Sequence, residues 1–334
     1  MTPVGLLHQM WELRDADEKA FYARAAAEAH LADRLGFASL WIGEHHYRQP
    51  GPFYGRVPAP ELLIANLAAR TTRIRFGTGV KVLPLSDPAR TAEQMAMLFL
   101  LADGRVEFGL GQGTGTAPVV IPDRRRKSEV FRDTVGRLLE LLATGPGTPD
   151  GHLISPIPED ELRNRLWIAS RDELAVRFAA ENGLGLVVGQ AEHPTKQRRY
   201  VELYRDAGGT GQVRGVRIVH TSGSDADARN RIGDAARLYW ATMRNGPYHR
   251  EAVEEGLLPP GEPDTLDELL ARSLFVVGDP VRVRAELRAY QTATGVDRVD
   301  VMMQLPLLPH DLVADAMALF MAEVAPTLGA VPAE

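Results

Sequence analysis

Strand-like and helix-like segments alternate along the whole chain, and this alternation constrains the fold more than any other feature. Short apolar or β-branched runs predict strands at residues 3–9, 38–43, 73–83, 105–110, 166–169, 185–188, 213–221 and 296–303. Helical spacing fills most of the gaps, at residues 17–35, 61–70, 87–101, 128–143, 172–182, 194–206, 280–292 and 312–324. Gly36 marks the end of the first helix, Pro60 and Asp87-Pro88 mark the starts of two others, and Thr144-Gly145-Pro146-Gly147 closes a fourth. Eight strand–helix pairs in strict alternation imply a parallel sheet with crossover helices. In a chain of 334 residues they predict an α/β fold, a closed (β/α)8 barrel formed as one domain over residues 1–334. An open doubly wound sheet would need a glycine-rich phosphate loop after the first strand, and LLHQMWEL is not one.

Two stretches interrupt the rhythm. Residues 145–160 are rich in Pro and Gly and read as a surface connection. Residues 225–273 read as a largely irregular insertion, helical at 226–244 and broken by GLLPPGEPD. The net charge of −6 favours neither a nucleic acid nor an anionic membrane as partner. The run Arg124-Arg125-Arg126-Lys127 reads as a solvated local cluster. With no cysteine there is no disulfide, thiolate metal site or cysteine nucleophile. The first residues lack the basic and long apolar regions of a signal peptide, and no apolar run reaches membrane-spanning length. A cytoplasmic location is the expectation.

Barrel enzymes build their sites on the loops after the strands. WIGEHHYRQPG, residues 41–51, places Glu44, His45 and His46 after the second strand. A histidine there suits hydrogen bonding to a ligand, or proton transfer near neutral pH. A shared metal ion is disfavoured, because neighbouring residues of an extended chain point to opposite sides and no HExxH is present. Gly77 and Gly79 lie inside the third strand, where glycine implies a bend or the close approach of a ligand. Gly109, Gly111 and Gly113 repeat the pattern after the fourth strand, and Ser170, Arg171 and Asp172 follow the fifth.

Taken together and in order, GFASLWIGEHH, LAARTTRIRFGTGVKVLPLSDPARTAEQMAMLFLLADGRVEFGLGQG, LWIASRDELAVRFAAENGLG and GVDRVDVMM resemble the bacterial luciferase-like flavin monooxygenases. The resemblance covers nearly the whole chain and is strongest from Gly36 to Gly113. It implies a (β/α)8 TIM barrel that takes reduced FMN (FMNH2) from a separate flavin reductase. Dioxygen would add to the flavin, and the resulting C4a-(hydro)peroxide would oxygenate a small organic substrate. It also implies His45 as the catalytic histidine, with Glu44 and His46 as its neighbours, and a cis Gly79–Val80 peptide behind the flavin ring. A homodimer is implied as well.

The phosphate end departs from the family pattern. After Gly111, itself a candidate for cofactor binding, Gln112 stands where the family often has an arginine, and a glutamine brings no charge. Another cation must then serve, Arg132 first and Arg171 second. Ser170, Arg171 and the amide of Asp172 begin a helix, where backbone N–H groups favour an anion. The Asp172 carboxylate suits capping that helix. Two rival readings remain: a dehydrogenase or reductase using F420 on the same barrel, and a flavin-binding member without turnover. The substrate is not legible.

Overall fold

The computed structural model describes residues 3–48, 50–113, 124–144 and 151–328, with only the backbone at 124–127 and 144. In chain order the first half runs β1 (Gly5–His8), β2 (Trp11–Leu13), α1 (Glu18–Leu35), β3 (Ser39–Ile42), β4 (Phe53–Gly55), α2 (Pro60–Ala68), β5 (Arg75–Val82), α3 (Pro88–Leu101), β6 (Val106–Gly111) and α4 (Arg124–Thr144). The second half runs β7 (Leu166–Ala169), α5 (Glu173–Glu181), β8 (Gly185–Val188), α6 (Pro194–Asp206), β9 (Val213–Thr221), α7 (Asp225–Met243), α8 (Pro247–Glu254), α9 (Leu266–Arg272), β10 (Phe275–Gly278), α10 (Pro280–Thr294), β11 (Arg298–Met302) and α11 (His310–Leu319).

Strands β1, β3, β5, β6, β7, β8, β9 and β11 pair in parallel in that order, and β11 returns to β1. The sheet is therefore the closed (β/α)8 barrel, built from the eight expected strands. Local signals set the helices. The Asp17 carboxylate accepts from the Ala20 amide at 2.7 Å to start α1, and Gly36 (φ 88°) ends it in the left-handed region. Asp87 caps α3 through the Arg90 amide at 2.8 Å.

The barrel interior carries a charged and aromatic layer that the strand patterns did not reveal. Arg214 donates through Nε to Asp300 Oδ2 at 2.7 Å, and both side chains are buried. The guanidinium lies 3.4 Å from the centroid of the Trp41 ring, and Trp41 meets Trp167 edge-on at 6.1 Å. Asp300 Oδ1 also accepts from the Gly5 amide at 2.8 Å and from Arg298 at 3.3 Å. Gly77 and Gly185 make room for this layer: a Cβ at either would overlap the Trp41 or Trp167 ring. Gly77 thus serves indole packing, whereas the sequence suggested a bend or a ligand.

The segment 225–273 is more regular than its composition suggested. It holds α7, α8 and α9, and β10 follows it alongside the end of β9. Helices of seven and eight residues and a four-residue strand are too short to show a period. The loop after β3 likewise contains β4, which pairs antiparallel with β2. The turn at Gly145-Pro146-Gly147, residues Thr114 and Gly115, and the side chains of Arg124 to Lys127 lie outside the described residues.

Candidate functional site

The antiparallel β2–β4 pair covers the C-terminal end of β3 and positions His45. The His45 amide donates to the Val57 carbonyl at 2.8 Å, anchoring the turn. Its ring Nε2 lies 3.1 Å from Gln9 Oε1. With that oxygen as acceptor, Nε2 carries the proton and Nδ1 the lone pair. The Trp11 ring lies 6.4 Å away and is itself in contact with Phe53 at 5.5 Å and Tyr239 at 6.2 Å. Gly55 is required opposite the imidazole, since a Cβ there would overlap the ring. A Cβ at Gly43 would come 2.7 Å from Gln9 Oε1. Burial pushes the His45 imidazole down to about 4, against the upward pull of Gln9 and Glu44. His45 is therefore neutral at physiological pH.

The three titratable residues divide into two groups. Glu44 does not bond His45; it accepts from His46 Nε2 at 2.8 Å and from the Val82 amide at 3.3 Å, and faces Lys81 Nζ at 3.4 Å. Lys81 also pairs with Glu61 at 2.8 Å. Burial pulls the Lys81 ammonium down, but the two carboxylates outweigh it and hold the ammonium above its usual range. Glu44 thus ties the loop after β3 to β5, and His46 completes that tie. Among the described residues, no group of three or more His, Cys, Asp or Glu could hold a metal ion.

Next to this loop, the Gly79–Val80 peptide bond of β5 is cis, and the β5–β6 register shifts between Thr78 and Lys81. The glycines of β6 accommodate that departure. A Cβ at Gly109 would overlap the Thr78 carbonyl, and one at Gly111 would come 2.5 Å from Val80 Cγ2. Gly79 itself has Leu7 and the Trp41 Cβ close by, at 3.0 and 3.1 Å from a Cβ placed there.

Further round the barrel, Gln112 Nε2 lies 3.4 Å from both Ser128 Oγ and Ser170 Oγ. Arg132 Nη1 donates to Asp172 Oδ2 at 2.8 Å and to Ser128 Oγ at 2.9 Å. Asp172 caps α5, accepting from the Leu174 amide at 3.4 Å. Arg171 turns elsewhere. It donates to Glu251 of α8 at 3.0 Å and lies 4.1 Å from the Tyr248 ring centroid. Trp240 and His249 pack against each other at 4.8 Å, and Trp240 Nε1 donates to Glu262 at 2.8 Å.

Arg171 also faces Glu192, a buried carboxyl in the loop after β8, at 3.8 Å. Burial pushes the Glu192 carboxyl up to about 7, against the pull of Arg171 and Lys196 and with a further push from Glu251. A carboxyl whose folded pKa is raised binds a proton on folding, so it adds stability as pH falls below about 7. His45 and His220, both pushed down to about 4 by burial, act oppositely: their folded forms resist protonation, and stability is lost as pH falls from the usual histidine range toward 4. Glu192→Gln is therefore expected to steepen the loss of stability between pH 6.5 and 5 by about 1.4 kcal/mol per pH unit. Urea unfolding at a series of pH values measures this, and an unchanged slope would refute the assignment.

The family model for luciferase-like monooxygenases matches residues 6–298. The chain belongs to that family. Membership makes it an oxidoreductase of the monooxygenase class. It is 39% identical over 178 residues to the 4-hydroxyprotoasukamycin monooxygenase of Streptomyces nodosus subsp. asukaensis, an alignment covering 51% of this chain and 42% of that protein. It is 28% identical over 182 residues to the oxygenase component of the flavin-dependent trigonelline monooxygenase of Acinetobacter baylyi, covering 51% and 49%. Its fold matches the oxygenating constituent of 3,6-diketocamphane monooxygenase from Pseudomonas putida, solved with FMN, at a TM-score of 0.83 with 19% identity, covering 99% of both chains. An F420-dependent secondary alcohol dehydrogenase shares the fold at a TM-score of 0.72 with 15% identity, covering 98% of this chain and 99% of that one.

Gln9 and Gly55, which fix the imidazole, are not evident from sequence spacing. Gln9 follows β1 and Gly55 lies in β4, so each reaches His45 only through the barrel register and the β2–β4 pairing. Among the described residues, no helix is long and apolar enough to cross a membrane.

Proposed function

We propose that the chain is the oxygenating component of a two-component monooxygenase, using FMNH2 delivered by a separate flavin reductase and dioxygen to oxygenate a small organic substrate. The observation that carries this reading is His45, neutral and fixed by Gln9 and Gly55, in the loop after β3, the strand paired with β5. The residues fit a flavin nucleotide at its ring end. There the glycines of β6 let β5 depart from regular pairing between Thr78 and Lys81, and Gly79 presents backbone rather than a side chain. At the phosphate end Gln112, Ser128, Arg132 and Ser170 provide donors. When bound, the reduced flavin supplies the electrons that activate dioxygen.

His45 then acts through Nδ1, the ring nitrogen not engaged by Gln9, taking a proton from or returning it to the reacting group. Glu44 and His46 hold the loop that carries it. Trp11, Phe53 and Tyr239 exclude water on one side. The family relatives support this reading, one being named as an oxygenase component. A homodimer has a candidate face on the adjacent helices α2 and α3, where Leu62, Met97, Leu100 and Leu101 are exposed. Leu100→Glu with Met97→Glu is expected to halve the mass measured by sedimentation; an unchanged mass would remove this face.

The second reading, F420-dependent hydride transfer, rests on the neutral Gln112 and on the shared barrel. Anaerobic titration of the protein with reduced FMN and, in parallel, with F420 separates the two. Saturable binding of reduced FMN at concentrations where F420 does not bind is expected. The reverse order would overturn the proposal. Gly55→Ala gives a finer test, because its Cβ displaces the imidazole. Turnover is expected to fall about a hundredfold with flavin binding retained.

A further inference from the structure

The donors at the phosphate end already hold an anion, and that anion belongs to the chain. Groups from three elements surround Asp172, and α4 supplies the two that bind its carboxylate. From α4, Ser128 Oγ donates to Asp172 Oδ2, and Arg132 Nη1 donates to the same oxygen at 2.8 Å. Arg132 Nη1 also reaches Ser128 Oγ at 2.9 Å, so hydroxyl and guanidinium form one unit a helical turn apart. From the end of β6, Gln112 Nε2 sits 3.4 Å from Ser128 Oγ and 3.4 Å from Ser170 Oγ. From the turn between β7 and α5, the Asp172 amide donates to Ser170 Oγ at 3.1 Å. Two hydroxyls, a guanidinium and a carboxamide from three elements form a set of donors suited to a phosphoryl group. Here Asp172 Oδ2 takes the place of one phosphoryl oxygen.

We infer that Asp172 is the resident anion of this subsite and determines how strongly the chain prefers a phosphorylated ligand over its unphosphorylated counterpart. The inference rests on the flavin reading and deepens it. A phosphate entering here must share Arg132 and Ser128 with a carboxylate of like charge, or displace it. Like charges at one set of donors oppose each other. Asp172 therefore weakens the phosphate grip, while the ring end, built from β5 and β6, is untouched by it. Displacing Asp172 would also release the α5 cap, because the same side chain accepts from Leu174. Phosphate affinity and the start of α5 are thereby coupled through one residue.

Asp172→Asn is the informative variant. Asparagine keeps the capping oxygen and removes the charge. The probe is inorganic phosphate, read by 31P line broadening and by the phosphate-dependent rise in Tm. Oxidised FMN and riboflavin are titrated separately. Asp172→Asn is expected to bind inorganic phosphate roughly tenfold more tightly than the wild type. The ratio of FMN to riboflavin affinity should rise by a similar factor. Adding Arg132→Met should abolish both gains. Asp172→Ser, which also caps a helix, should behave like Asp172→Asn and guards against a folding artefact in either variant. Equal phosphate affinity in the wild type and both Asp172 variants would overturn the inference, as would a gain that survives Arg132→Met. Failure of the flavin reading has a different signature: neither flavin binds any variant, while the phosphate response to Asp172→Asn remains.

Discussion

Asp300→Ala is expected to destabilise the protein by about 3–5 kcal/mol. Asp300 is fully buried and faces two guanidinium groups, Arg214 and Arg298, across the base of the barrel. Burial raises its carboxyl, but Arg214 and Arg298 outweigh that and hold it below the usual carboxylate range. Burial likewise pushes the Arg214 guanidinium down to about 10, so it remains charged at neutral pH. Removing Asp300 leaves that charge buried on the Trp41 ring without its carboxylate. It also frees the Gly5 amide, whose bond to Asp300 ties β1 to β11. Urea unfolding gives the number. A loss below about 1 kcal/mol would show that the pair contributes little beyond filling space. Replacing Arg214 and Asp300 together by Met and Leu should cost less than the two single changes combined, because no unpaired charge is then created at that pair.

His45→Gln is expected to lower turnover by about 10²- to 10⁴-fold, the usual range for removing a positioned proton-transfer group. Gln retains the hydrogen bond to Gln9 through its amide and fills similar volume, so reduced-flavin binding should hold within a few-fold. The pH profile is diagnostic. Because burial holds His45 at about 4, wild-type turnover should show no inflection from this residue near pH 6.5, and its acid limb should lie near pH 4. An inflection near 6.5 that vanished in His45→Gln would place the imidazole in a wetter environment than the structure shows. Turnover unaffected by His45→Gln would remove the residue from the chemistry.

The barrel was legible because each of its strands is a short apolar run between clear breaks. Residues 166–169, 185–188 and 213–221 match β7, β8 and β9 to the residue, and the other barrel strands agree within two. What escaped the sequence depends on contacts between distant strands. Arg214 and Asp300 lie far apart in the chain and meet only through the β9–β11 register. Gly77 was legible as an unusual glycine, but its cause, the Trp41 ring on the neighbouring strand, was not. The same limit applies at the site. Glu44, His45 and His46 were legible as a constellation at a strand end, but their separation was not: His45 goes to Gln9 while Glu44 and His46 join Lys81. Arg171, a candidate for the phosphate, reaches α8, an eight-residue helix too short to read, whereas α7 in the same segment was legible at residues 226–244.

A barrel that holds a reduced flavin beside a neutral His45 must control that flavin's reaction with oxygen. Mixing the anaerobic complex of protein and FMNH2 with air-saturated buffer, with oxygen uptake and the return of oxidised flavin followed together, tests it most directly. A resolved delay between the two is expected in the wild type, and a shortened delay in His45→Gln. Simultaneous oxygen uptake and flavin oxidation, at the rate of free flavin and in both proteins alike, would contradict it.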